Sequence, residues 1–260
     1  MDPRFLAPAS WSFALDHVEL WLLVVTRFAG LLAALPALGQ ERVPLTVRAA
    51  LAALSATVMA PVIPRPAALP SSVWDMAATL VLEFLAGLLL GLVVAWIFEA
   101  IAFAGVLMDI QMGFSFVQIM DPSSGGSAAI SGTLLMQIAV LVMFATGLHH
   151  QMILALVESY RLVPIGSGLP VHPQEVVVMS GQLLLRGLQL SMPILLTLFI
   201  VDVLEGIAAK VLPQLQLIQL AFPLKIGIGT AVFIVLLREL NVWLLPLFQK
   251  APEAALRLLS

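Results

Sequence analysis

The stretch GVLMDIQMGFSFVQIMDPSSGG, residues 105 to 126, decides how the rest of the chain is interpreted. It carries two acids, Asp109 and Asp121, and between them an uncharged run that is rich in Met and Phe. The run breaks at Asp121-Pro122 and a Ser/Gly sequence, a pattern that favours a turn. The segment is therefore too apolar for an ordinary solvated loop and too interrupted for a helix that simply faces lipid.

The composition around this stretch is that of a membrane protein. Of the 260 residues, 61% are hydrophobic and only 10% are charged, whereas a soluble domain has about 25% charged residues. Apolar runs extend over the whole chain, and no polar segment is long enough to form a soluble catalytic module. We therefore expect an integral membrane protein or a subunit of a membrane complex.

Several classes of function find no support in the residues. Lys and Arg are scattered singly and the net charge is −3, so no basic patch for nucleic acid is expected. The chain has no cysteine, which excludes disulfides and thiol chemistry. The adjacent His149 and His150 point about 100° apart on a helix, so they are poorly placed to share a metal ion. With no nucleotide loop and no GxSxG sequence, we expect no enzyme, metal or cofactor.

Hydropathy predicts an all-α protein with about six long hydrophobic segments, each near the ~20 residues that a helix needs to cross a bilayer. Basic residues in the breaks fall almost evenly on the two sides of a six-span arrangement, so the positive-inside rule predicts no orientation. This balance suggests helices that do not all span simply. The segments are Val18–Leu35, Leu45–Ile63, Met76–Ala104, Ile130–Val157, Val176–Val201 and Ile226–Leu245.

One segment carries a signal for close helix packing. Gly87 and Gly91 lie four residues apart in the third segment and so share one helix face. Small residues at that spacing let two helix backbones approach closely in an apolar medium. We expect a second helix to pack tightly against this face.

Several ionisable residues fall inside or at the edges of the apolar segments. Each costs about 2.5–3.5 kcal/mol in hydrocarbon on insertion scales unless it is paired or faces water. A relay of ions or protons is one interpretation, but no pair has relay spacing along more than one helix. The favoured interpretation is pairing between helices or between subunits. The residues assigned to it are Arg27, Glu83, Glu99, Arg186, Asp202 and Glu205.

The central stretch has the composition of a seal that can change shape. Met108, Met112 and Phe114 offer flexible thioethers and flat rings, which fill irregular gaps and refit when a gap changes. A ring of such side chains also blocks ions by excluding water. Gly113 permits backbone conformations that are closed to other residues. Composition alone leaves a plainer alternative open, a buried connector with only a packing role.

Seven motifs follow one another along nearly the whole chain. They are RFAGLLAALPALG (27–39), VPLTVR (43–48), EFLAGLLLG (83–91), DIQMGFSFVQIMDPSSG (109–125), GLHH (147–150), VPIG (163–166) and LPQLQLIQLAFPLKIGIG (212–229). In order and spacing they resemble FliR, a subunit of the flagellar type III export gate, and its injectisome counterpart, the T subunit. Two departures are Leu148, inserted between a Gly and its His, and Gln216, where the family commonly has Asn.

The resemblance implies a single export-gate subunit in the bacterial inner membrane, at the flagellar basal body. Its partners would be P-type and Q-type subunits, the B-type gate subunit and the unfolded exported proteins. Its fold would be helical hairpins: a P-like portion over residues 1–175, with a central plug loop at 105–126, and a Q-like hairpin over 176–260. The plug would seal a pore for unfolded flagellar proteins. By motif, the plug residues are Gln111, Met112, Gly113, Phe114, Ser115, Phe116 and Val117, and the turn of the plug loop is Asp121 and Pro122.

Two other functions stay open at this point. A secondary transporter for a small solute would couple through Glu83, Glu99 or Asp202, and it predicts an inverted repeat that is not visible in the sequence. A scaffold subunit would line no pore and would serve only to close the assembly.

Overall fold

The computed structural model describes residues 9–36, 43–64, 70, 72–114, 130–170, 172–211 and 217–259. Within these ranges all regular structure is helical, which confirms the predicted all-α class. The helices are α1 (Ala9–Ala34), α2 (Leu45–Met59), α3 (Val73–Met112), α4 (Ile130–Ala145), α5 (Leu148–Leu162), α6 (Pro173–Val211) and α7 (Leu217–Arg257).

Three helices are much longer than a bilayer requires. α3, α6 and α7 have 40, 39 and 41 residues, which at 1.5 Å per residue is about 60 Å each. The hydrocarbon core is about 30 Å thick. Among the residues that the structure describes, four helical segments are long and apolar enough to cross a membrane: His17–Ala34, Val73–Met112, Pro173–Val211 and Ala221–Arg257.

Two of the six expected segments differ from single spans. The segment predicted at 45–63 forms the 15-residue helix α2, which is short for a bilayer crossing. The segment predicted at 130–157 is broken into α4 and α5, which are bent by 65° and form a fifth span only if taken as one. The break falls at Gly147, whose φ of 69° is left-handed and ends the α4 ladder.

Helix α3 continues beyond its predicted end at Ala104 to Met112. Its start is fixed by Ser72, whose Oγ accepts a hydrogen bond from the Asp75 N–H at 3.1 Å and donates to the Asp75 carboxylate at 2.8 Å. Proline is absent between these ends, so nothing in the sequence stops the helix earlier. The first part of the stretch expected as a loop, residues 105–112, is therefore helical.

The described residues pack as two units. The first comprises Met1–Ala95, Gly147–Val177 and Lys250–Ser260. In it α1 and α3 meet through glycines: a Cβ on Gly87 would collide with the Arg27 carbonyl, and one on Gly91 would lie 2.6 Å from the Leu31 carbonyl oxygen. The expected close approach at Gly87 and Gly91 is confirmed, with α1 as the partner.

The second unit comprises Trp96–Thr146 and Val178–Gln249. Its helices also approach closely at small residues, because a Cβ on Gly105 would collide with the Gly132 backbone, and a Cβ on Gly187 with the Ala100 carbonyl. The rings of Phe98 and Phe248 pack with centroids 5.9 Å apart. This unit contains the end of α3 and the start of α4, and so it holds both ends of the central stretch.

Candidate functional site

The chain leaves α3 at a polar cluster formed by three helices. The Gln111 Nε2 donates a hydrogen bond of 2.9 Å to Asp202 Oδ2, and the Lys225 ammonium forms an ion pair with Asp202 Oδ1. Gln111 belongs to the last turn of α3, Asp202 to α6 and Lys225 to α7. Both carboxylate oxygens of Asp202 are therefore bonded at the point where the chain leaves α3.

Each of the next two residues, Met112 and Gly113, has an apolar contact. Met112 is 1% exposed, and its side chain fills the notch left by Gly229, where a Cβ would lie 2.7 Å from the Met112 Cγ. Gly113 has a φ of 86°, and a Cβ there would lie 3.0 Å from the ring of Phe222. Phe114 is half-buried. Met112 and Gly113 are thus seated against α7.

The start of α4, where the chain is next described, is held against α3 by Asp109. Both of its carboxylate oxygens accept hydrogen bonds from the Ser131 N–H, at 3.2 Å, and Asp109 is 2% exposed. Ser131 lies in the first turn of α4, where unpaired N–H groups and the helix dipole favour an anion. The contact of Gly105 with Gly132 lies beside this cap. Residues 109 and 131 are therefore held together, and the chain between them starts and ends at one place.

The rest of the predicted plug lies outside the described residues. Ser115, Phe116 and Val117 fall there, as do Asp121 and Pro122. Their assignment stays a prediction.

A second polar cluster lies in the first unit and is centred on Arg27. Arg27, fully buried, donates from Nε to Glu83 Oε2 at 2.6 Å, from Nη1 to Ser159 Oγ at 3.1 Å and from Nη2 to the Val163 carbonyl at 3.1 Å. Its guanidinium carbon lies 3.9 Å from the centre of the Tyr160 ring. The cluster therefore joins α1, α3, α5 and the residue that follows α5.

The remaining charged residues assigned to pairing are less buried than Arg27 and Glu83. Glu99 is exposed. Arg186 is exposed and donates to Gln189 Oε1 at 3.3 Å. Glu205 is half-buried, and its Oε1 has no hydrogen-bond partner among the described residues. A role of these three residues in pairing with other subunits stays a prediction.

The described residues bring together no group of three or more His, Asp or Glu side chains that could hold a metal ion. The rings of His149 and His150 pack against each other, with centroids 4.1 Å apart.

Sequence reasoning missed the roles of Asp109, Ser159 and Tyr160. Asp109 is recognisable in the sequence only as an acid of the central stretch, because its contact with the first turn of α4 spans 22 positions of the chain. The signal for Ser159 and Tyr160 was weaker, because neither residue is unusual near the end of an apolar helix. Their proximity to Arg27 arises from tertiary packing across 132 positions of the chain.

Comparison with known proteins places this sequence in a family. The model of the bacterial export proteins, family 1, matches residues 18–251. The flagellar biosynthetic protein FliR of Bacillus subtilis is 27% identical over 95% of this chain and 96% of its own length. FliR of Caulobacter vibrioides is 27% identical over 80% of this chain and 84% of its own length. The Yop proteins translocation protein T of Yersinia pestis is 27% identical over 59% of this chain and 60% of its own length. The chain therefore belongs to the bacterial export proteins of family 1.

Proposed function

We propose that the chain is a subunit of a flagellar protein export gate in the bacterial inner membrane. With P-type and Q-type subunits it forms a pore for unfolded flagellar proteins, and residues 111–117 plug the closed channel. The observation that carries this proposal is the family match over residues 18–251. The flagellar relative matches 95% of the chain and the injectisome relative only 59%, which favours the flagellum.

The surface of α6 supports a multi-subunit assembly. This helix is about 58 Å long, yet only 17% of its most apolar window is buried within the chain. A bilayer about 30 Å thick covers only part of that length, so the remaining apolar surface calls for protein partners. Exposed apolar residues extend along the whole helix: Val177, Leu184, Leu196, Ile200, Leu204 and Val211.

The anchoring of the central segment supports its role as a plug. The Asp109–Ser131 hydrogen bonds hold its two ends together, and Gln111 and Met112 fix the end at α3. An apolar segment tied at both ends can be displaced as a unit and can return to the same place. A packing connector would have less need for such anchors.

In the closed gate, the Met and Phe side chains exclude water and so block ions by dewetting. An unfolded substrate displaces the plug, and the flexible thioethers refit around the moving chain. The driving force comes from other components, since the sequence contains no nucleotide-binding loop.

The test is a deletion of Met112 to Phe116 in the assembled gate, with small-ion conductance of the purified complex recorded in a planar bilayer. The deletion is expected to leave the pore continuously open to ions. A deletion of Pro66 to Pro70, in the proline-rich connection before α3, is the matched control and is expected to stay closed. Conductance at the native level in the plug deletion would refute the plug assignment.

The scaffold alternative is separated by cross-linking. The chain has no cysteine, so a single cysteine in place of Phe114 is a unique probe. A plug that the substrate displaces will cross-link to a substrate stalled in the channel, whereas a scaffold without a pore-lining role will not. The transporter alternative gains no support from Glu83, because this carboxylate is buried and already paired with Arg27.

A further inference from the structure

The last turn of α3 and the residue after it are seated at three consecutive positions. Gln111 bonds to Asp202, Met112 fills the notch at Gly229, and Gly113 packs beside Phe222. Such a continuous set of contacts fixes where the chain leaves the helix. The first three residues of the proposed plug, 111 to 113, therefore have a defined position.

The residues of α6 and α7 that surround residues 111–113 lie on one face of each helix. On α7, Phe222, Lys225 and Gly229 follow one another at intervals of three and four residues, which is the spacing of one helix face. On α6, Leu198 and Asp202 are four residues apart, and a Cβ on Gly229 would lie 3.3 Å from Leu198. One face of each helix thus forms the seat, and Asp202 is its carboxylate.

The polar part of the seat is only partly buried within the chain. The side chain of Asp202 is 36% exposed and that of Lys225 is 23% exposed. A partly exposed pair is weaker than a buried one and can re-form with water or with other partners. The contact is therefore suited to breaking and re-forming without unfolding the core around Met112.

We propose that Asp202 is a latch that holds the start of the plug in its closed position, with Lys225 orienting its carboxylate and Gln111 as the residue it retains. The proposal rests on the proposed function, namely that residues 111–117 close the channel. Opening of the gate then includes release of Gln111 from Asp202. Asp202 is a positioning residue, since it acts on the channel only through Gln111.

The experiment uses the complete gate in planar bilayers, with small-ion conductance in the absence of substrate as the readout. Asp202→Ala removes the latch, and Gln111→Glu places two carboxylates against each other. A lost hydrogen bond to a charged group shifts an equilibrium by about tenfold or more. We therefore expect both variants to raise the open probability by about tenfold, with the amount of assembled gate unchanged.

A charge swap gives the decisive readout. In Asp202→Lys/Lys225→Asp the pair is reversed, and the Gln111 amide, which has both a donor and an acceptor, turns to accept from the new lysine. We expect this double variant to stay closed. Adding Gln111→Glu to the swapped background should also stay closed, because the glutamate now faces a cation. If these residues had only a structural role, the effect of Gln111→Glu on conductance would not depend on the sign of the charge at position 202.

The control is Lys210→Ala, which removes an exposed charge from the last turn of the same helix and is expected to leave conductance unchanged. A closed gate in both Asp202→Ala and Gln111→Glu overturns the latch, and leaves the plug standing if the deletion of Met112 to Phe116 still leaks. A leak from Gln111→Glu that persists in the swapped background also overturns the latch. A closed gate in the plug deletion itself overturns the proposed function, and the latch with it.

Discussion

The two polar clusters of the chain use similar chemistry in opposite surroundings. In the first unit Glu83 is paired with Arg27, and both side chains are at most 3% exposed. In the second unit Asp202 is paired with Lys225, and both side chains are only partly buried within the chain. Each carboxylate lies on a long apolar helix and meets a cation from another helix. The difference is therefore in burial within the chain and in the number of contacts that the cation makes.

The cations differ in a way that suits these surroundings. The planar guanidinium of Arg27 directs donors to a carboxylate, a hydroxyl and a carbonyl at once, and its face lies on Tyr160. Lys225 offers a compact ammonium on a flexible stem, which re-forms contacts easily. The comparison teaches that a carboxylate–cation pair fixes the fold where it is fully buried within the chain and can act as a movable contact where it is only partly buried.

The largest expected effect is the difference between breaking the two pairs. Arg27→Ala leaves Glu83 buried without its cation, and removing one partner of a buried pair costs about 3–5 kcal/mol. Lys225→Ala breaks a partly exposed pair, for which the cost is about 0–1 kcal/mol. Both variants are measured by thermal denaturation of the detergent-purified complex, with dissociation of this subunit as the readout. Equal losses of stability would remove the distinction between the clusters.

The close helix approach beside Arg27 provides the second test. A Cβ on Gly87 meets the Arg27 carbonyl, which is backbone and cannot rotate away. Gly87→Ala is therefore expected to force α1 from α3 and to destabilise the protein by about 1–3 kcal/mol. Gly206→Ala is the matched control, because nothing lies within 4 Å of a Cβ there and Ala favours the helix. The same denaturation measurement applies, and a neutral Gly87→Ala would contradict the packing.

The sequence predicted the helical class, the apolar segments and the packing role of Gly87 and Gly91, because these follow from hydropathy and residue spacing. It also identified Arg27, Glu83 and Asp202 as charges that need partners. It could not pair them, since the contacts of Arg27 with Glu83 and of Gln111 with Asp202 span 56 and 91 positions. Local pattern carries no information on which distant helix faces meet.

The backbone at the start of the central segment provides the third test. Gly113 has a φ of 86°, where a residue with a Cβ costs about 1–2 kcal/mol, and the new Cβ would press on Phe222. Gly113→Ala is expected to shift the plug and raise small-ion conductance several-fold. Gly168→Ala is the control, because its φ of 85° carries the same strain with nothing within 4 Å. A leak from both variants would mean that strain anywhere in the chain opens the gate.

The smallest expected effect concerns Tyr160, whose buried hydroxyl has no hydrogen-bond partner among the described residues. Tyr160→Phe keeps the ring over Arg27 and removes the unpaired group, so stability should be unchanged or higher by up to about 1 kcal/mol. Tyr160→Leu also removes the cation–π contact and should lower stability by about 0.5–2 kcal/mol. If Tyr160→Phe is the more harmful of the two in the assembled gate, the hydroxyl has a partner there. The Arg27 cluster would then be completed by a residue of another subunit. The two clusters would differ in whether a partner subunit contributes to them, rather than in how deeply each is buried within this chain.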